Sequence, residues 1–255
     1  MSNNFDSLGD RMKSYEDVYK HRLIRRLPVI IRLDGRAFHT LTKDMQKPFD
    51  INFSRAMLYV TIELVKEIQG CMFGYTQSDE ISLLLKDWTT HTTEAWFDNQ
   101  IQKMASVSAS IATMSFVNYG RNNPEHLKIS SGTFDSRVFN LPLAEVNNYF
   151  VWRQNDATRN SINALGQSLY SQKELHGVKV GDLKQKILEE KNIVWEELDQ
   201  WKKMGYGLAR TKWPHRLFPG EYETSINLLK LPLFSQDANF IERFLKEGEE
   251  NNVAN

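Results

Sequence analysis

Cys71-Met-Phe-Gly-Tyr-Thr-Gln-Ser-Asp-Glu-Ile-Ser-Leu-Leu-Leu85 holds two apolar runs around a short polar turn. Cys71 to Thr76 and Ile81 to Leu85 each suit a strand, and Gln77-Ser78-Asp79 suits the turn, so the stretch reads as a β-hairpin. Before it, Pro28-Val-Ile-Ile-Arg-Leu33 is a further short apolar strand, ended by Asp34-Gly35. A helix separates the two. Asp50 or Ser54 caps it, Met57, Val60, Leu64, Val65 and Ile68 share one face, and Gly70 stops it. After the hairpin, Thr92 or Thr93 is expected to open a long helix to about Tyr119, and Thr133 to Leu141 supplies a fourth strand. The order β-α-β-β-α-β is that of the ferredoxin-type split unit: an α+β fold with a four-stranded antiparallel sheet and its helices on one face. Downstream, the remainder reads as helical: segments near 143–170, 181–191 and 194–204 carry helical patterns, and Leu231-Pro-Leu-Phe234 is too short to classify. The expected division is therefore 1–142 as a catalytic unit and 143–255 as a mostly helical region packed on it.

The chain of 255 residues, 41% hydrophobic and 25% charged, has the composition of an ordinary globular protein, which excludes a disordered chain or a fibrous rod. No apolar run approaches the roughly 18 residues of a membrane span, and the N-terminus carries acids where a secretory signal needs an apolar core. With Cys71 the single cysteine, no internal disulfide can form. A cytoplasmic protein with no membrane partner is the expectation.

Net charge is zero, from 32 basic and 32 acidic residues, which argues against coating nucleic acid by bulk charge. The balance is local, however. Arg11, Lys13, Lys20, Arg22, Arg25, Arg26 and Arg32 face only Glu16 and Asp17 over the same stretch. Lys202, Lys203, Arg210, Lys212 and Arg216 have no acid among them and are interleaved with Trp201, Tyr206 and Trp213. Basic residues with aromatics between them suit a phosphate backbone and stacked bases. They equally suit a solvated surface over a tryptophan-containing core.

Two carboxylate sites stand out. Asp34 ends the first strand, while Asp79 and Glu80 sit at the hairpin turn. The fold order allows the strand end and the turn to share one edge, facing one ligand. Hard oxygen donors without nearby His or Cys suit Mg²⁺, which keeps waters and takes phosphate oxygens. Gly35 would let backbone approach the metal or phosphate closely. Arg36, Phe38, His39 and the Lys47-Pro48 pair follow, and Arg and Lys can neutralise a triphosphate. Each feature also has a plain reading, since Asp-Gly and Ser-Asp-Glu are ordinary turn sequences. No Walker A or GxGxxG sequence is present, the histidines lack metal-ligand spacing, and Cys71 reads as a small buried hydrophobe.

Val29-Ile-Ile-Arg-Leu-Asp-Gly-Arg-Ala-Phe-His39, Lys47-Pro48, Gln77-Ser-Asp-Glu80 and Phe134-Asp-Ser-Arg137 together resemble the tRNA-His guanylyltransferases and their relatives, over roughly residues 10 to 165. These enzymes add nucleotides in the 3′-to-5′ direction. The resemblance implies a polymerase palm-like unit and two Mg²⁺ ions held by Asp34, Asp79 and the Gly35 carbonyl. It implies catalytic roles for Asp34, Asp79 and Glu80. Nucleotide binding would fall to Asp34, Gly35, Arg36, Ala37, Phe38 and His39 with Ser78 and Asp79. Lys47 would face triphosphate, and Lys103 matches a helix lysine linked to 5′-end activation. Eukaryotic members carry His-Ile-Asn-Asn-Leu-Tyr-Asn after Arg-Gln-x-Asp. Here Arg153-Gln-Asn-Asp156 leads into Ala157-Thr-Arg-Asn-Ser-Ile-Asn163, with Thr158 at the motif's histidine. That departure is similar to the bacterial and archaeal branch, which repairs 5′-truncated tRNAs by templated addition.

The implied partners are tRNA, ATP, GTP and other NTPs. The implied assembly is a homo-oligomer, a tetramer in preference to a dimer. Arg22, Arg25, Arg26, Arg137, Lys202, Lys203, Arg210 and Lys212 are the candidates for RNA contact. Three other readings stay open: strict addition of G to tRNA-His, a palm-fold nucleotide cyclase, and a non-catalytic RNA-binding module.

Overall fold

The computed structural model describes residues 7–125, 131–214 and 222–246. Along the chain come α1 (Leu8–Asp17), β1 (Val29–Gly35), α2 (Phe38–Leu41), α3 (Ile51–Glu67), β2 (Cys71–Gln77), β3 (Glu80–Leu85), α4 (Ile101–Asn122) and β4 (Phe134–Asn140). Then follow α5 (Leu143–Leu169), α6 (Gln172–Leu175), α7 (Val180–Lys191), α8 (Gln200–Lys203), β5 (Tyr206–Pro214), β6 (Tyr222–Leu229) and α9 (Asn239–Glu242). The α+β class holds. All strand pairs are antiparallel, in one six-stranded sheet ordered β4-β1-β3-β2-β5-β6.

Strand alternation sorts the core into two layers. Val29, Ile31, Leu33, Ile81, Leu83 and Leu85 face α3 and α4, where they meet Met57, Leu64, Met104 and Phe116. Ile30, Phe73, Tyr75 and Leu84 face the other way, against Val146, Tyr149 and Phe150 of α5 and Phe234, Phe240 and Phe244 of the C-terminal segment. A register shift between Cys71 and Phe73 puts two residues of β2 that are two apart onto opposite layers. A third cluster joins the end of α5 to α7, around Leu165, Leu183, Ile187 and Trp195.

Asp50 caps α3 by accepting from the Asn52 and Phe53 amides, each at 2.9 Å. The helix ends before Gly70, as its sequence signals imply. The long α4 starts later than expected, at Ile101 and not at Thr92 or Thr93. Phe97, Asp98 and Asn99 turn left-handed just before it, and Arg22 and Arg25 both clasp Asp98 while the Leu23 amide bonds the Asn99 carbonyl. Tertiary contacts from the N-terminal segment thus outweigh the local cap signal.

The larger difference lies downstream. The C-terminal region, expected to be mostly helical, contributes β5 and β6, and β5 pairs with β2. The sheet therefore runs across the boundary at residue 142. Gly205 makes the join possible: its φ is +79°, and a Cβ there would stand 2.1 Å from the Thr76 carbonyl oxygen. Among the described residues, no helix is long and apolar enough to cross a membrane.

Candidate active site

Asp34 is the penultimate residue of β1, directly opposite Glu80 of β3 and Asp135 of β4. Asp79 stands in the β2–β3 turn, beside Ser78 in left-handed backbone (φ +50°). The Gly35 amide donates to the Asp79 carbonyl at 3.0 Å, which ties the end of β1 to the turn. The two candidate acids therefore share one edge of the sheet. Gly35 could carry no larger side chain, because a Cβ would sit 2.5 Å from the Phe38 ring. The Arg36 amide is held by the Thr133 carbonyl at 2.8 Å, and Ala37, left-handed at φ +57°, turns the chain into α2.

The Asp79 carboxyl is pushed above its ordinary value, mainly by burial; a hydrogen bond from its own backbone opposes the rise, the charge of Asp34 adds to it, and Ser78 and His39 oppose it more weakly. Two carboxylates held close enough to repel are a donor set that a cation relieves. With the Gly35 carbonyl they form a hard-oxygen set that fits Mg²⁺ completed by phosphate and water. Among the described residues no group of three or more Asp, Glu, His or Cys is arranged to hold a metal ion, so the chain alone does not build a closed metal cage.

Beside this edge lies a cavity of about 270 Å³ bounded by His39, Thr42, Gln46, Lys47, Asp50, Ser78 and Asp79. Lys47 donates to the Thr42 carbonyl at 3.0 Å and remains exposed. Arg36 and His39 are exposed on the loop. Phe38 is buried, its ring 5.1 Å from those of Phe116 and Phe134, so it anchors the loop to the core. Lys103 stands apart from the cavity lining, over the Phe97 ring at 5.6 Å.

Glu80 has different surroundings. One of its oxygens accepts from Arg32 at 2.6 Å and from Arg153 of α5 at 2.7 Å. Burial raises its carboxyl, and the two guanidiniums oppose that rise. Trp152 covers the pair, 3.6 Å from Arg153 and 5.6 Å from Arg32, and Arg153 also approaches Asp156 at 3.5 Å. The Ser82 and Tyr149 hydroxyls bond at 2.8 Å on the same face. Sequence reasoning missed Arg32, Arg153 and Asp135. All three lie within the quoted motifs, but their partners depend on how strands and α5 cross.

The candidates for RNA contact are scattered and mostly engaged. Arg22 and Arg25 bind Asp98, Arg26 reaches the His91 carbonyl at 3.3 Å, and Arg137 meets Asp135 at 3.3 Å. Lys202 pairs with Asp199 at 2.6 Å, and Lys203 donates to the Glu196 carbonyl. Arg210 donates to the Val65 and Lys66 carbonyls at the end of α3. The Lys212 side chain lies outside the described residues.

The comparisons with known proteins fit this geometry. A bacterial tRNA(His) guanylyltransferase (Thg1)-like protein in complex with ATP superposes with a TM-score of 0.83 at 39% identity, covering 95% of this chain and 100% of that one. A bacterial Thg1-like protein in complex with GTP gives 0.79 at 36% identity, covering 94% and 99%. The "Probable tRNA(His) guanylyltransferase" of Dictyostelium discoideum is 31% identical over 161 residues, 62% of this chain and 60% of that protein. The family model described as tRNAHis guanylyltransferase matches residues 9–142, just over half of the sequence. The chain belongs to the tRNA-His guanylyltransferase family, a family of nucleotidyltransferases.

Proposed function

We propose that this protein repairs tRNA at its 5′ end, adding nucleotides in the 3′-to-5′ direction as dictated by the opposing strand. The observation that carries the reading is the meeting of Asp34, Gly35 and Asp79 at one sheet edge beside a cavity lined by Lys47, Ser78 and His39. A tRNA ending in a 5′-monophosphate is first adenylylated by ATP; one ending in a 5′-triphosphate needs no activation. The 3′-hydroxyl oxygen of the incoming NTP then forms a bond to the phosphorus attached to the RNA's 5′ oxygen. AMP or pyrophosphate leaves, and the hydroxyl proton passes to solvent.

Asp34, Asp79 and the Gly35 carbonyl would hold two Mg²⁺ ions, which lower the pKa of the attacking hydroxyl and offset charge on the leaving group. The chain's own part is positioning. The Gly35–Asp79 hydrogen bond fixes the two acids relative to each other, Lys47 and Arg36 meet triphosphate oxygens, and the loop from Arg36 to His39 fits the nucleotide. Glu80 acts as a positioning residue through Arg32 and Arg153. Base pairing chooses the nucleotide, so the protein needs shape and phosphate contacts more than base readout. ATP, GTP and the other NTPs are then all substrates. The setting is cytoplasmic, with 1–142 as the palm-like unit, whose sheet β5 and β6 of the later region extend.

The test uses a 5′-monophosphorylated tRNA transcript lacking its first nucleotide, incubated with Mg²⁺, ATP and each other NTP in turn. Extension by one complementary nucleotide is expected for the wild type, with none for Asp79→Ala and none in EDTA. NTP conversion without RNA would point instead to a cyclase.

A further inference from the structure

The turn that carries Asp79 is held from two sides. On the β1 side the Gly35 amide bonds the Asp79 carbonyl. On the other side stand Met204 and Gly205, the two residues before β5. β5 starts at this edge of the sheet, with Tyr206 opposite Thr76. Gly205 packs so closely that a Cβ on it would run into the Thr76 carbonyl oxygen and stand 2.9 Å from the Gln77 Cβ. Within the turn, the Thr76 hydroxyl donates to the Glu80 carbonyl at 3.0 Å.

Met204 and Gly205 are themselves tied down. The Tyr75 hydroxyl donates to the Met204 carbonyl at 2.7 Å. The Tyr75 ring is buried against Phe150 and Phe234, which aims that hydroxyl. The Gln200 amide donates to the Gly205 carbonyl at 3.4 Å, while its oxygen accepts from the Leu231 amide at 2.8 Å. The Asp79 turn needs such support. Ser78 is left-handed without being glycine, a conformation that persists only where its surroundings over-determine it. The charges of Asp34 and Asp79 also repel, which pushes the turn away from β1.

We propose that Tyr75 and Gly205 are positioning residues for the cation-holding edge: through the Met204–Gly205 segment they fix Asp79 relative to Asp34. The inference rests on the reading above that these two acids hold Mg²⁺. It assigns the start of β5 a part in the chemistry, and so explains why a strand from the C-terminal region joins the sheet beside the hairpin.

The test uses Mn²⁺ as the probe, titrated into the protein with a non-hydrolysable GTP analogue present, with free Mn²⁺ read by electron paramagnetic resonance. The Mg²⁺ dependence of tRNA extension is read beside it. Tyr75→Phe removes one hydroxyl and keeps the ring, while Gly205→Ala drives a methyl at the Thr76 carbonyl. Leu208→Ala is the comparison: Leu208 is buried in β5 opposite Gly74, so its truncation loosens packing without touching the turn. Losing a residue that orients a metal ligand costs roughly 10–100-fold in metal affinity or activity. A loss of that size in Mn²⁺ affinity, with a matching rise in the Mg²⁺ needed for half-maximal extension, is expected for Tyr75→Phe and Gly205→Ala, and wild-type values for Leu208→Ala. Should Gly205→Ala fail to fold, Tyr75→Phe decides alone. Wild-type Mn²⁺ affinity in a folded Tyr75→Phe protein would overturn the inference, as would an equal loss in Leu208→Ala. If the wild type extends tRNA while Tyr75→Phe keeps its Mn²⁺ affinity, the repair reading stands and the positioning role alone fails. If Mn²⁺ binding depends on Tyr75 but the wild type extends no RNA, the repair reading fails and the positioning role stands. A wild type that takes up no Mn²⁺ beyond what the analogue binds alone would remove both.

Discussion

Asp79 and Glu80 are neighbours in sequence with opposed environments. Asp79 faces a cavity, its pKa raised first by burial and further by Asp34. Glu80 is buried beneath Trp152, between two guanidiniums. Removing one partner from a buried ion cluster leaves uncompensated charge and costs about 3–5 kcal/mol. Glu80→Ala is therefore expected to lower the melting temperature by roughly 10 °C, on a scale of about 2–4 °C per kcal/mol for a chain of this size. Asp79→Ala relieves a repulsion, so its stability should hold while activity disappears. Calorimetry on both variants decides: a Glu80→Ala protein that melts like the wild type but cannot transfer nucleotides would place Glu80 at the chemistry and not beneath it. Asp34 and Asp79 were legible in sequence because one sits at the end of a strand and the other in a hairpin turn, both short-range patterns. The Arg32–Glu80–Arg153 cluster was not, because Arg153 reaches Glu80 only once α5 has crossed the sheet.

Elements differ in the same way. β1, α3 and the β2–β3 hairpin announce themselves through short-range signals: strand alternation, the Asp50 cap and the tight turn. β5 hides because its buried residues, Leu208, Ala209 and Thr211, sit among glycine, arginine and lysine, and its partner β2 lies far back in the chain. Arg210 shows the cost of reading charge without structure. It resembles an RNA contact in a basic stretch, yet its guanidinium holds the last carbonyls of α3, where a cation also meets the helix dipole. Arg210→Ala is expected to lose roughly 1–3 kcal/mol of stability, the range for hydrogen bonds to a charged group. It should leave the salt dependence of RNA binding unchanged. A shallower slope of log Kd against log salt, with normal melting, would return Arg210 to the RNA surface.

On the scale of the whole molecule, α1 is conspicuous for burying nothing. Leu8, Met12 and Tyr15, spaced along one side of the helix, are 66%, 47% and 65% exposed. We propose that this face packs against another copy of the chain in a homo-oligomer, a tetramer in preference to a dimer. Light scattering on Met12→Glu/Tyr15→Glu should then show a smaller particle than the wild type, while an unchanged mass would leave α1 outside the interface. An assembly of this kind would let RNA span subunits while the palm edge receives NTP from the cavity beside Asp79. Nucleotide choice by base pairing is what separates templated repair from obligatory addition of G. The decisive assay takes a tRNA lacking its first 5′ nucleotide and replaces the base opposite the gap by each of the four in turn. Complementary addition each time, abolished by Asp79→Ala, is the expected result. Addition of G whatever base stands opposite would contradict it.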